Sequence, residues 1–130
     1  MRYMMMVRMD ESMPAGPPPA SLFAAIGELG EQARKDGALL EEGGLLPSAA
    51  GALVRLSGGQ VSVIDGPFTE AKELIGGFAV YQVRTKDDAI EAARRFMELH
   101  AQHWPGVEAV CEVRQMMDPA DFEPGDQQHA

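Results

Sequence analysis

Val63-Ile64-Asp65-Gly66-Pro67-Phe68-Thr69-Glu70-Ala71-Lys72-Glu73-Leu74-Ile75-Gly76-Gly77-Phe78 reads as the end of a strand, a tight turn, a short helical turn and the approach to a second strand. Val63 and Ile64 are β-branched and suit a pleated, packed surface. Asp65-Gly66-Pro67 stops that strand, because Asp bonds to its own backbone, Gly supplies unusual dihedrals and Pro fixes φ. Gly77 to Val83 then runs apolar on both faces, with Phe78 and Val80 opposed to Ala79, Tyr81 and Val83. Two strands therefore meet at a corner instead of being joined by a long helix.

Outward from this corner, toward the N-terminus, Leu53–Leu56 and Val61–Asp65 are joined by Ser57-Gly58-Gly59-Gln60 and predict a β-hairpin. Ala38–Glu42 reads as a strand whose exit is the Gly43-Gly44 pair and Pro47. Before it, Leu22, Ile26, Leu29 and Ala33 recur at helical offsets, so an amphipathic helix runs from Ala20 to about Gly37. Four prolines and a glycine fill Met13–Pro19, a loop with a proline-led helix start. Arg2–Met9 is a first strand: Tyr3, Met5, Val7 and Met9 point one way, Met4 and Met6 the other.

On the C-terminal side, Thr85-Lys86-Asp87-Asp88 places a hydroxyl three residues before a carboxylate, close to a capping box. The helix it opens carries Ala89, Ala92, Ala93, Phe96 and Leu99 inward and ends at Pro105-Gly106. Val107, Ala109, Cys111 and Val113 form the inward face of a last strand. Asp118–Ala130 has four acids, two prolines and few apolar groups, which predicts a flexible acidic tail after a domain of residues 1–117.

The order is strand, helix, strand, hairpin, strand, helix, strand: an α+β, ferredoxin-like split βαβ plan with an inserted β-hairpin. Helices should cover one face of the sheet. Strands that are apolar on both sides need a second cover, which a second copy would supply, giving a homodimer with a barrel-like core (a dimeric α/β barrel).

The composition closes several function classes. Eleven Lys+Arg against twenty Asp+Glu give a net charge of -9, which offers no basic surface for direct nucleic-acid binding. A single cysteine, Cys111, forbids an intramolecular disulfide or a cysteine-built zinc site and suits a reducing cytoplasm. Met1–Met9 is too short for a secretory core, and no run approaches the ~20 apolar residues of a membrane span.

Asp65-Gly66-Pro67-Phe68, followed by Thr69-Glu70-Ala71-Lys72-Glu73 and Gly76-Gly77-Phe78, resembles the DGPF signature of the YCII-related (YciI-like) domain family. Arg2-Tyr3-Met4-Met5-Met6 is similar to the family's Lys-Tyr-Met-Leu-Leu start, and Gly43-Gly44-Leu45-Leu46-Pro47 extends the likeness, which runs from about Met1 to Met116. The resemblance implies a dimeric α+β barrel, a bacterial cytoplasmic origin and an association with extracytoplasmic-function sigma factors, but no reaction. The wider group is proposed to use a first-helix histidine with a nearby aspartate. Ala20–Asp36 contains no histidine, so that acid/base pair is missing here.

Candidate site residues follow from chemistry at particular places. Asp65 closes a strand at the turn, where its carboxylate could hold the backbone, bind a ligand or act as a base; holding the turn is the simplest role. Phe68 packs the turn onto the core or lines a cleft, and Lys72, on the helical turn with Glu73, could project toward the same cleft. Arg8, in an apolar strand, requires a carboxylate or an anionic ligand. Tyr81 brings a hydroxyl into an apolar strand. His100 and His103 are three apart near a helix end; with Glu42 the only distant addition, no metal site is assigned, and no cofactor. Two functions result: a dimeric module for a small molecule or protein partner, or a small cofactor-independent enzyme (isomerase, hydrolase or monooxygenase-like) with Asp65 as acid or base and Arg8 orienting an anion.

Overall fold

The alternating run Arg2–Met9 lies in the middle of an antiparallel sheet in the computed structural model of the protein, which describes residues 1–12, 16–67 and 73–122. The chain order is β1 (Arg2–Met9), α1 (Ala20–Lys35), β2 (Leu39–Gly44), a 3-10 turn at Ser48–Ala50, β3 (Ala52–Ser57), β4 (Gln60–Asp65), β5 (Leu74–Gln82), α2 (Lys86–His103), β6 (Val110–Gln115) and a 3-10 turn at Pro119–Phe122. The large sheet has the order β2-β5-β1-β6, every neighbouring pair antiparallel, which is the ferredoxin-like arrangement; among the described residues β3 and β4 pair only with each other.

Pairing and pleat sort the large sheet into two faces. Tyr3 opposite Tyr81 and Met5 opposite Ala79 form the core with Leu39, and Ala89 and Ala93 of α2 close over them. Cys111, beside Val7, packs against this cluster, as its small apolar character predicts. The opposite face carries Met4 and Met6 of β1 beside Val80 and Phe78 of β5, with Arg114 and Glu112 across on β6.

Both helix starts and one helix end have local causes. Thr85 Oγ1 accepts the Asp88 N–H at 3.1 Å, the cap read from the sequence. Pro19, in extended backbone, precedes α1, and its carbonyl accepts the Leu22 N–H. Gly37, at φ 75°, ends α1: its N–H returns to the Arg34 carbonyl and that of Ala38 to Ala33, the paired bonds of a Schellman stop.

Several boundaries move. β2 continues through Gly43 and Gly44 instead of ending at Glu42, because Gly43 pairs with Phe78 and a Cβ there would sit 2.9 Å from the Phe78 ring. β5 begins at Leu74, since Met9 and Arg8 extend the ladder with Leu74 and Ile75. β6 begins at Val110, not Val107, because Val110 pairs with Arg8 at the far end of their shared ladder. The hairpin turn falls on Gly58 and Gly59, both at positive φ, as two-residue loops require. Asp118, expected to open an unstructured tail, instead leads a 3-10 turn, where the Asp121 carboxylate accepts its N–H at 2.7 Å. Residues 123–130 of that expected tail, and the helical turn expected at Thr69–Glu73 apart from Glu73, lie outside the described residues.

Candidate functional site

Glycine at two places shapes what surrounds the end of the sheet. Gly66, the glycine of the corner, lies so close to the 3-10 turn that a Cβ would strike the Ser48 carbonyl oxygen, and its N–H donates to the Gly51 carbonyl at 2.9 Å. Ser48 is buried and held from the other side by Glu11, whose carboxylate accepts its Oγ–H at 2.6 Å and also its backbone N–H. Glu11, Ser48 and Gly66 thus fasten three connections together. Gly30, in α1, leaves room for Glu42, whose Oε1 would come 2.6 Å from a Cβ there and pairs with Arg34 Nη2 at 3.0 Å. Carboxylate and guanidinium neutralise each other at the seam between α1 and β2.

Beside this seam opens a cleft of ≈ 670 Å³, within the usual range for a small-molecule site. Its floor is the end of β1 at Val7 and Met9 and the start of β5 from Leu74 to Phe78. α1 contributes Leu22, Phe23, Ile26 and Gly27; α2 contributes Phe96 and His100, and Trp104 follows at its C-cap. Residues 43–47 form the outer lip with Asp10 and Glu11. The walls are apolar apart from a few groups, and among the described lining residues the ionisable side chains are Asp10, Glu11, Glu42 and His100, with no lysine or arginine.

His100 is 6 % exposed. Its Nδ1 lies 2.9 Å from the Phe96 carbonyl, an acceptor only, so Nδ1 carries the proton and donates it. The ring sits between Phe96 and Trp104, with centroids 4.8 Å and 6.5 Å away. This orientation turns the Nε2 edge away from the helix backbone. Asp10, on the lip, accepts both the N–H and the Oγ–H of Ser12, which holds its carboxyl below the ordinary carboxylate range.

The residues singled out from the sequence go to separate places. Tyr81 is buried on the helix-covered face, where burial and the nearby Glu42 carboxylate push its phenol up, opposed by Arg34 and Arg95. Arg8 is on the opposite face and meets a carboxylate, Glu112, with Nε 3.5 Å from Oε1. That separation is an ion pair but not a hydrogen bond, and Arg8 Nε is buried without an acceptor among the described residues. Asp65 is at the exposed end of β4 opposite Ala52, and no donor among the described residues bonds its carboxylate. Asp65, Arg8 and Tyr81 are therefore not brought together around one cavity, and none lines the cleft. Phe68 and Lys72 lie outside the described residues. Among the described residues no three His, Cys, Asp or Glu side chains gather as metal ligands, and no helix is long and apolar enough to cross a membrane.

Sequence reasoning paired His100 with His103 as an incomplete metal set or as helix-end charges. It missed that His100 is buried against Phe96 and Trp104. The available signal was their spacing: residues four apart on a helix share a face, so Phe96, His100 and Trp104 form one row.

Residues 1–117 match the YCII-related domain family, and the chain belongs to that family. It is also 36 % identical over 72 residues to uncharacterized protein R00369 of Rhizobium meliloti (strain 1021), a match covering 55 % of this chain and 50 % of that protein. The chain thus aligns with about half the length of that relative.

Proposed function

We propose that this YCII-related protein is a homodimeric cytosolic module that binds a small organic molecule in the cleft between α1, α2 and the sheet end. The observation that carries the reading is the cleft itself: ≈ 670 Å³, apolar walls, and a short set of polar groups converging on it. Trp104 is the single tryptophan and lines the cleft, so occupancy can be read directly from its fluorescence. Gly27 gives the control. It lies within α1 on the cleft wall, and a Cβ added there meets nothing within 4 Å. Gly27→Phe should keep the helix, which glycine weakens by ~1 kcal/mol relative to alanine, and fill the cleft. Ligands that quench or shift Trp104 in the wild type should have no effect in Gly27→Phe. Equal responses in the two proteins would overturn the reading.

The dimer is supported by the sheet face away from the helices. Met4, Met6 and Phe78 are partly exposed there around the already buried Val80, beside the buried Arg8 Nε that lacks an acceptor among the described residues. A self-complementary patch of this kind suits a twofold interface, and an acceptor from the second copy would satisfy the Arg8 donor. Light scattering should return twice the 14.0 kDa chain mass. Met6→Lys, which puts a charge into the patch but leaves the helix-covered core intact, should return one chain mass.

A further inference from the structure

We infer that the cleft selects a neutral or cationic amphipathic molecule, an apolar body bearing a hydrogen-bond donor, and that His100 Nε2 accepts that donor. The inference rests on the cleft being a ligand site and adds the chemical class and the residue that reads it. Three observations lead there.

The first is the tautomer. Phe96 carbonyl oxygen can only accept, so Nδ1 carries a proton, and in the neutral ring the bare lone pair is then on Nε2. Nε2 has no hydrogen-bond partner among the described residues, and although the side chain is more than nine-tenths buried, Nε2 itself is not a sealed atom: it is on the part of the ring that meets the cleft. An acceptor that opens onto an apolar cleft meets only water there, and a ligand O–H or N–H can take that water's place.

The second is the sign of the lining. Asp10, Glu11 and Glu42 are carboxylates, and no described lining residue is basic. Glu42 is balanced by Arg34, which is outside the lining, and Asp10 and Glu11 sit on the lip. An anionic ligand would enter against this field without a cationic partner, whereas a neutral or cationic one would not.

The third is shape. Phe96 and Trp104 flank the imidazole, and Leu22, Phe23 and Ile26 face them from α1, so the walls beside the acceptor are aromatic and aliphatic. An aromatic or alkyl body fills such walls while one polar end meets Nε2.

A matched series separates these requirements: phenethylamine, phenethyl alcohol, phenylacetate and ethylbenzene, each titrated against Trp104 fluorescence in the full chain. The amine and the alcohol should bind about tenfold or more tightly than phenylacetate, the scale of one hydrogen bond plus an avoided like-charge contact. His100→Phe keeps the ring packing and removes the acceptor; it should weaken the amine and alcohol about tenfold and leave ethylbenzene within about twofold. His100→Gln, which restores an acceptor, should recover part of the alcohol affinity. Phenylacetate binding as tightly as the amine, or an unchanged alcohol-to-ethylbenzene ratio in His100→Phe, would overturn the inference while leaving the cleft a binding site. Binding that survives Gly27→Phe, or no binding by any of the four, would overturn the cleft reading and this inference with it.

Discussion

The four-stranded sheet and the β3–β4 hairpin are built from the same residue types and end in opposite situations. Met5, Val7, Leu39 and Ala79 of the large sheet are buried by helices and neighbouring strands. In the hairpin, Val54 opposite Val63 and Leu56 opposite Val61 make an equally apolar face, and all four are 67–72 % exposed. The hairpin packs extensively on no other described element. Hydrophobicity thus explains why a segment seeks cover, while topology decides whether the same chain supplies it. A lone two-stranded hairpin is marginal in water, so the dimer proposed above would give this arm a cover as well as the open sheet face.

The largest expected effect is on the covered side. Leu22, 1 % exposed, fixes α1 within the fold, so Leu22→Ala should lower stability by ~2–5 kcal/mol in urea melts, at every protein concentration. Val54→Ser with Val63→Ser sharpens the contrast. Within one chain it removes only exposed apolar area, for which ~0.5 kcal/mol or less is expected; its effect should appear as a concentration-dependent loss of dimer by light scattering. A stability loss like that of Leu22→Ala would place the hairpin in the intrachain core and break the comparison.

Between these extremes stands the fastening of the corner. Glu11→Ala removes the carboxylate that the buried Ser48 N–H and Oγ–H both donate to and should cost ~1–3 kcal/mol, visible as a lower urea midpoint. The smallest effect is a titration. Burial raises the Tyr81 phenol above 10.0, so its stabilising contribution is complete below the free-tyrosine range and is lost as pH rises through the higher folded value. Absorbance at alkaline pH should therefore show a late tyrosine step that Tyr81→Phe deletes. Cys111, raised from 9.0 chiefly by burial, should likewise react slowly with a thiol reagent in the native protein and quickly in urea.

Much of the fold was legible because it is local. Alternation gave β1, helical spacing gave α1 and α2, Thr85 gave a cap, and Gly58-Gly59 gave a hairpin turn. The strand ends were not legible, because β2, β5 and β6 begin and stop where a partner strand does: Gly43 is a strand residue only through Phe78, and Val110 only through Arg8. The site was less legible still. Arg8 was expected to need a carboxylate or an anionic ligand, and a Glu112 carboxylate stands 3.5 Å from its Nε. His100, Glu42 and Gly27 meet around one cleft only after β2, α1 and α2 are assembled, and no spacing along the chain records that meeting. The family match spans residues 1–117, and within it the glycine of the Asp-Gly-Pro corner is required by contact with Ser48, a contact of architecture and not of chemistry.

Trp104 fluorescence titrations of a metabolite collection against the wild type and Gly27→Phe ask whether the cleft takes a ligand. At least one neutral or cationic amphipathic compound should shift the wild-type emission saturably and leave the Gly27→Phe protein unchanged. Identical responses in the two proteins, or no saturable response in either, would contradict ligand binding in the cleft.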